Sequence, residues 1–180
     1  MKSRHFIVII ILMGIMLPGN SCALIIEPVI YLIPAGYMGN VYIFHNVPDG
    51  EPLKREGLNR VYEISKDGIL RSKSQEITGA SISQYFYVTS NGKREKITGE
   101  WLFSIDDTPE NRADNTPGIF YPQTGSISGG SVSKGTGASG SMYNCEIKFE
   151  EFYVGTKQFL LSNHDLEKDL HAYVKEHPIC

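Results

Sequence analysis

Apolar side chains in this chain fall in short runs separated by glycine, proline and asparagine, a pattern of β-strands and tight turns. Val29 to Ile33, Val41 to Phe44 and Val61 to Ile64 are rich in β-branched and aromatic residues, and Ile69-Leu70 opens a fourth run. The pattern predicts strand one at 25–33, closed by Pro34, then a turn through Gly36 and Gly39, where positive φ costs little. Strand two, 41–45, is apolar on both faces and so is expected at the centre of its sheet. Strands three and four are expected at 59–65 and 69–73, and Asp67-Gly68 between them predicts a hairpin. Gln84 to Thr89 is a further strand that turns at Asn91-Gly92 into 94–98, and Glu100 to Ile105 alternates with Trp101 on its buried side.

The second half is less regular. Asp106 to Gly118 is an acidic, proline-containing loop, followed by a short strand at Ile119 to Tyr121. The Gly/Ser composition that begins at Thr124 predicts a flexible loop over 124–142. Tyr143, Cys145, Ile147 and Phe149 alternate with polar residues, and Glu150-Glu151 breaks that phase, which predicts a β-bulge before Phe152. Gly155-Thr156 predicts a turn into a strand at 158–161. Leu166, Leu170, Tyr173 and Val174 share one face of a helix expected near 163–176, which Pro178 ends. The fold class is all-β: a β-sandwich of roughly nine short strands with one C-terminal α-helix, in a single domain over 24–180.

Residues 1–22 change the picture from fold to location. Lys2 and Arg4 precede an unbroken apolar run, Phe6 to Leu17, the pattern of an export signal and too short to span a bilayer. Gly19-Asn20-Ser21-Cys22 is similar to a lipobox, in which cysteine is acylated and becomes the new N-terminus, although Gly19 stands where leucine is usual. Cleavage after Ala23 by ordinary signal peptidase is the competing reading. With Cys22 lipidated, Cys145 and Cys180 remain as an even pair for a disulfide in an oxidising compartment. Loss of Lys2 and Arg4 from 17 basic residues, against 20 acidic ones, takes the formal charge from −3 to −5. No basic run is present, which argues against nucleic acid as a partner.

Motifs that carry chemistry are sparse. His164, Glu167 and His171 share a helix face, but the i, i+4 histidine spacing of a zinc helix is missing, so a solvated face is expected. Asp106, Asp107, Glu110, Asp114 and Asn115 offer oxygen ligands without the spacing or glycine of an EF-hand loop. No G-x-S-x-G elbow, phosphate loop or paired-cysteine metal motif occurs. His45, at the end of strand two, is a lone histidine expected to be structural. The expectation is therefore no catalytic set, no metal and no cofactor. Tyr37, in a turn, and Tyr85 and Tyr87, on one strand face, are the candidates for a ligand contact.

Ile33-Pro34-x-Gly36-Tyr37-x-Gly39, Val41-Tyr42-Ile43, Arg60-Val61-Tyr62-x-Ile64, Asp67-Gly68-Ile69-Leu70 and Phe152-x-Val154-Gly155-Thr156 together resemble a domain-of-unknown-function family of bacterial secreted proteins and lipoproteins. The resemblance implies a β-rich fold and an envelope location, and brings no activity, substrate or catalytic residue. The expected function is a non-enzymatic binding or structural module, lipid-anchored to a membrane of the cell envelope, with envelope proteins or cell-wall glycan as partners. Alternatives are a secreted carbohydrate- or peptide-binding domain that uses Tyr37, Tyr85 and Tyr87, and a small envelope hydrolase.

Overall fold

The apolar runs are strands, and the chain deals them in turn to two sheets. A computed structural model describes residues 27–77, 81–99, 101–102, 104–128, 146–163 and 173. The strands are β1 (Val29–Pro34), β2 (Gly39–Phe44), β3 (Lys54–Glu56), β4 (Asn59–Glu63), β5 (Ile69–Arg71), β6 (Ser83–Val88), β7 (Arg94–Lys96), β8 (Trp101–Leu102), β9 (Gly118–Ser128) and β10 (Glu146–Gly155). Two short helices, α1 (Pro109–Ala113) and α2 (Lys157–Ser162), complete the described elements. One five-stranded sheet runs β3-β4-β1-β6-β7 and the other, also five-stranded, runs β5-β2-β10-β9-β8. The protein is mostly β, with a sandwich-like arrangement.

The core lies between the sheets. Val29, Tyr31 and Ile33 of β1, Tyr62 and Ile64 from the β4 side, and Tyr85 of β6 meet Val41, Ile43, Phe152 and Val154 of the other sheet. Period two explains the sorting: the alternate residues Ile30, Leu32 and Val61 face the far side of the first sheet. Tyr42, Phe44 and Phe149 do the same for the second. The strands β2 and β10 are thus apolar on both faces, and β2 is central, between β5 and β10. On the first sheet, Arg94 of β7 donates two hydrogen bonds to Glu56 of β3, at 2.8 and 2.5 Å. These strands are opposite edges of the sheet, so it coils far enough to bring its edges within reach of one side chain.

Several expectations need correction. Asp67-Gly68 is not a hairpin turn: β4 and β5 belong to different sheets, and β5 pairs with β2 in parallel. Repeated crossing also makes β1 parallel to both neighbours, β4 and β6. The stretch 158–161 is helix α2, because the Thr156 hydroxyl accepts from Phe159 N–H at 3.1 Å and caps it. The acidic loop contains α1, capped in the same way by Thr108, with Pro109 in its first turn. Residues 124–128 are strand: Gly125 pairs with Phe149, and a Cβ there would lie 2.6 Å from the Phe149 ring. Glycine is the residue that lets this ring lie flat across the neighbouring strand. The bulge falls on β9, where Tyr121 (φ 50°) and Pro122 together oppose Phe152. Of 100–105, the described strand is Trp101–Leu102. Cys22, Cys145, Cys180, His164, Glu167, His171 and the rest of the 129–142 segment lie outside the described residues. So does the helix near 163–176 except for Tyr173, which is helical and stacks on Phe44 at 5.6 Å.

Candidate functional site

Three tyrosines line up across the inner face of the first sheet. Register places Tyr31 of β1 beside Tyr62 of β4 and Tyr85 of β6. The Tyr31 and Tyr85 rings stack at 4.7 Å, Tyr62 tilts against Tyr31 at 5.7 Å, and Phe152 from the other sheet meets Tyr31 and Tyr85 edge-on at 5.2 Å. Aromatic rings favour such stacked and edge-to-face contacts over a face-to-face sandwich.

Opposite this row, β10 turns a carboxylate inward. Phe152 and Val154 face the core, and two residues before Phe152 the same parity belongs to Glu150. The Tyr31 hydroxyl donates to Glu150 Oε2 at 2.8 Å, and His45 Nε2 lies 3.1 Å from Oε1. A carboxylate only accepts, so Nε2 carries the proton on this bond. His45 is 2% exposed and its Nδ1 is buried with no hydrogen-bond partner. The Tyr62 hydroxyl shares a hydrogen bond with Ser74 Oγ at 3.2 Å, and Ser74 another with Ser72 Oγ at 2.8 Å. The main chain of these serines extends β5 alongside the end of β2: Val47 N–H donates to Ser72 O and Asn46 N–H to Ser74 O, both at 2.9 Å. One carboxylate therefore ties a tyrosine of one sheet to a histidine of the other, in a region of low dielectric where each bond is strengthened.

Burial and the Glu150 carboxylate push the Tyr31 phenol well above its ordinary value. Burial raises Tyr62, Tyr87 and Tyr153 as well. Tyr37 is pushed up to about 12 by burial and by nearby Asp67. A phenol that ionises higher in the folded chain than its unfolded value near 10 stabilises fully below that value and loses the contribution as pH rises. Stability is therefore expected to fall between about pH 10 and pH 12, with less of a fall in Tyr37→Phe. Denaturant midpoints at about pH 9 and pH 11 check this, and equal midpoints contradict it.

The arrangement holds the two sheets together through side chains. A general base must come within about 3 Å of the proton it takes. The His45 side chain has 0% exposure and that of Glu150 13%, so in this conformation the ring is closed to solvent while the carboxylate is partly open to it. His45 was legible in the sequence as a structural histidine; its partner was not, because a glutamate beside a second glutamate reads as solvated. Tyr31, Tyr62, Ser72 and Ser74 carried no signal of a polar network, because each lies in a strand run where only parity marks it as inward.

The three tyrosines proposed as ligand contacts lie apart from this network or inside the core. Tyr85 is buried, with one ring face stacked on Tyr31 and Phe152 packed beside the pair, so it presents no open platform to a sugar. Tyr37 and Tyr87 are half-buried against the core. Tyr37 donates to Asn40 O at 2.5 Å and Tyr87 to Tyr37 O at 3.2 Å, so both hydroxyls hold the turn between β1 and β2. The acidic loop is similarly occupied. Arg112 donates to both oxygens of Asp107 at 2.5 and 2.6 Å, and Lys157 pairs with Asp114 at 3.3 Å beside a hollow of about 240 Å³. Among the described residues no group of three or more His, Cys, Asp or Glu side chains could hold a metal ion.

From residue 27 to residue 160 the chain matches the model of DUF6843, a family of unknown function. A crystal structure of a candidate lipoprotein from Bacillus anthracis is similar, with a TM-score of 0.50 and 21% identity over 83% of this chain and 90% of that one. At that identity the likeness speaks for the fold. No curated protein matches.

Proposed function

The chain belongs to the family of unknown function DUF6843, and from that premise we propose an exported, lipid-anchored protein of the cell envelope whose domain is a non-enzymatic binding or structural module. The observation that carries this reading is the join between signal and fold: an apolar run ends at Leu17, Cys22 follows, and β1 begins at Val29. An extended residue spans about 3.5 Å, so the seven steps from Cys22 to Val29 reach at most about 25 Å. A lipoprotein cysteine carries more than one acyl chain, enough for stable attachment where a single chain binds only marginally. The Bacillus anthracis protein of like fold is itself described as a candidate lipoprotein, which supports the reading. The burial of His45, whose ring bonds Glu150, supports a module without catalysis, and partners are then envelope proteins or cell-wall glycan. In the oxidising space outside the membrane, Cys145 and Cys180 pair as a disulfide.

Fractionation of Cys22→Ser beside the natural chain tests the anchor. The natural chain is expected with the membranes and in a detergent phase, and the variant in the soluble fraction. A variant that stays with the membranes, or a natural chain found in solution, contradicts the reading.

A further inference from the structure

The two most exposed large apolar side chains among the described residues are Leu58, 83% exposed, and Ile82, 59% exposed. They are remote in sequence but stand at the same end of the first sheet. Leu58 stands immediately before β4 and Ile82 immediately before β6, the two strands that flank β1 in parallel. Main-chain bonds fix the level: Arg60 N–H donates to Pro28 O and Val29 N–H to Ile82 O, each at 2.9 Å. Both apolar side chains therefore stand beside the point where the described chain enters the fold, five residues beyond Cys22.

We propose that this end of the sandwich rests on the bilayer, with Leu58 and Ile82 set among the lipid headgroups on either side of the entering chain. The inference rests on acylation of Cys22. The short tether selects this end: Glu27 is held within about 18 Å of an acylated cysteine, whereas the turn at Met38 lies a further six-residue strand, about 20 Å, away. Charge fits the same orientation. Glu27 is held by Arg55 at 2.6 Å and by Arg60 at 2.7 Å. The carboxylate at the point of entry is thus neutralised by two arginines, which lowers the repulsion an acidic chain meets at an anionic lipid surface. Exposed apolar side chains at a membrane-facing tip bury their surface in the interface and fix the tilt of the domain.

The test uses the full acylated protein in vesicles whose lipids carry bromine on the acyl chains, with tryptophan placed by Leu58→Trp, Ile82→Trp or, at the opposite end, Met38→Trp. All three positions are exposed, so a larger ring leaves the core as it is. Expected are a blue shift and loss of emission at positions 58 and 82 beyond the natural chain, which carries Trp101, and no added loss at position 38. Equal quenching at all three positions, with acylated protein on the vesicles, overturns the proposed orientation and leaves the anchor standing. Protein that lacks acylation and floats free of the vesicles overturns both.

Discussion

Glu150→Ala lowers the stability of the folded chain by about 3–5 kcal/mol, because it strands two buried partners at once. The Tyr31 hydroxyl loses its acceptor and the His45 ring loses the bond at Nε2, while Nδ1 already has none. A polar group left unsatisfied in the interior costs roughly 1–3 kcal/mol, and more if it is charged. Chemical denaturation measures the loss, and a cycle with Tyr31→Phe apportions it. Tyr31→Phe removes the donor cleanly and costs about 1 kcal/mol, and in the double variant the two losses add to less than their sum. A Glu150→Ala loss below about 1 kcal/mol contradicts a bridging carboxylate and makes Glu150 an ordinary surface residue.

Gly68→Ala carries an expected loss of similar size, about 3–5 kcal/mol, from two separate causes. At φ +81° an L-residue is strained, which costs roughly 1–2 kcal/mol. The added Cβ would also overlap the Tyr37 hydroxyl, 2.7 Å from Cζ, and lie 2.5 Å from Asn40 O. The ring can move but the backbone oxygen cannot, so Tyr37→Ala in combination recovers only part of the loss. If Gly68→Ala unfolds at the same denaturant concentration as the natural chain, the corner between β4 and β5 is not built as described. Because Gly68 O also accepts from Tyr42 N–H at 2.9 Å, the corner is the join of the two sheets as well as a turn.

These two positions show how far the sequence could be read. The runs at 29–33, 41–44, 61–64 and 84–89 became strands because period-two burial of β-branched and aromatic residues is a local signal. Central placement of β2 followed from its lack of a polar face. Pairing was legible at Asn91-Gly92, where β6 and β7 form the expected hairpin, but not at Asp67-Gly68, which serves a hairpin and a corner equally well, and only the acceptor of the next strand's hydrogen bonds decides. Gly125 read as flexible because composition records what a glycine lacks, not the Phe149 ring that lies over it. Glu150 broke the apparent phase because Phe149 and Phe152 are buried on opposite faces of a strand that has two buried faces. A charge in such a strand is the trace of a buried network, and its partners lie 105 and 119 residues away.

The position of the fold relative to Cys22 gives the domain its proposed setting. Under that proposal, a two-sheet body tethered to lipid by the few residues after Cys22 keeps one end against the membrane and offers the other to its partners. The intact mass of the protein purified from its own membrane fraction tests that account most directly. It predicts a chain that begins at acylated Cys22, with two hydrogens lost where Cys145 and Cys180 pair. A chain that begins at Leu24 without lipid, recovered from the soluble fraction, contradicts it.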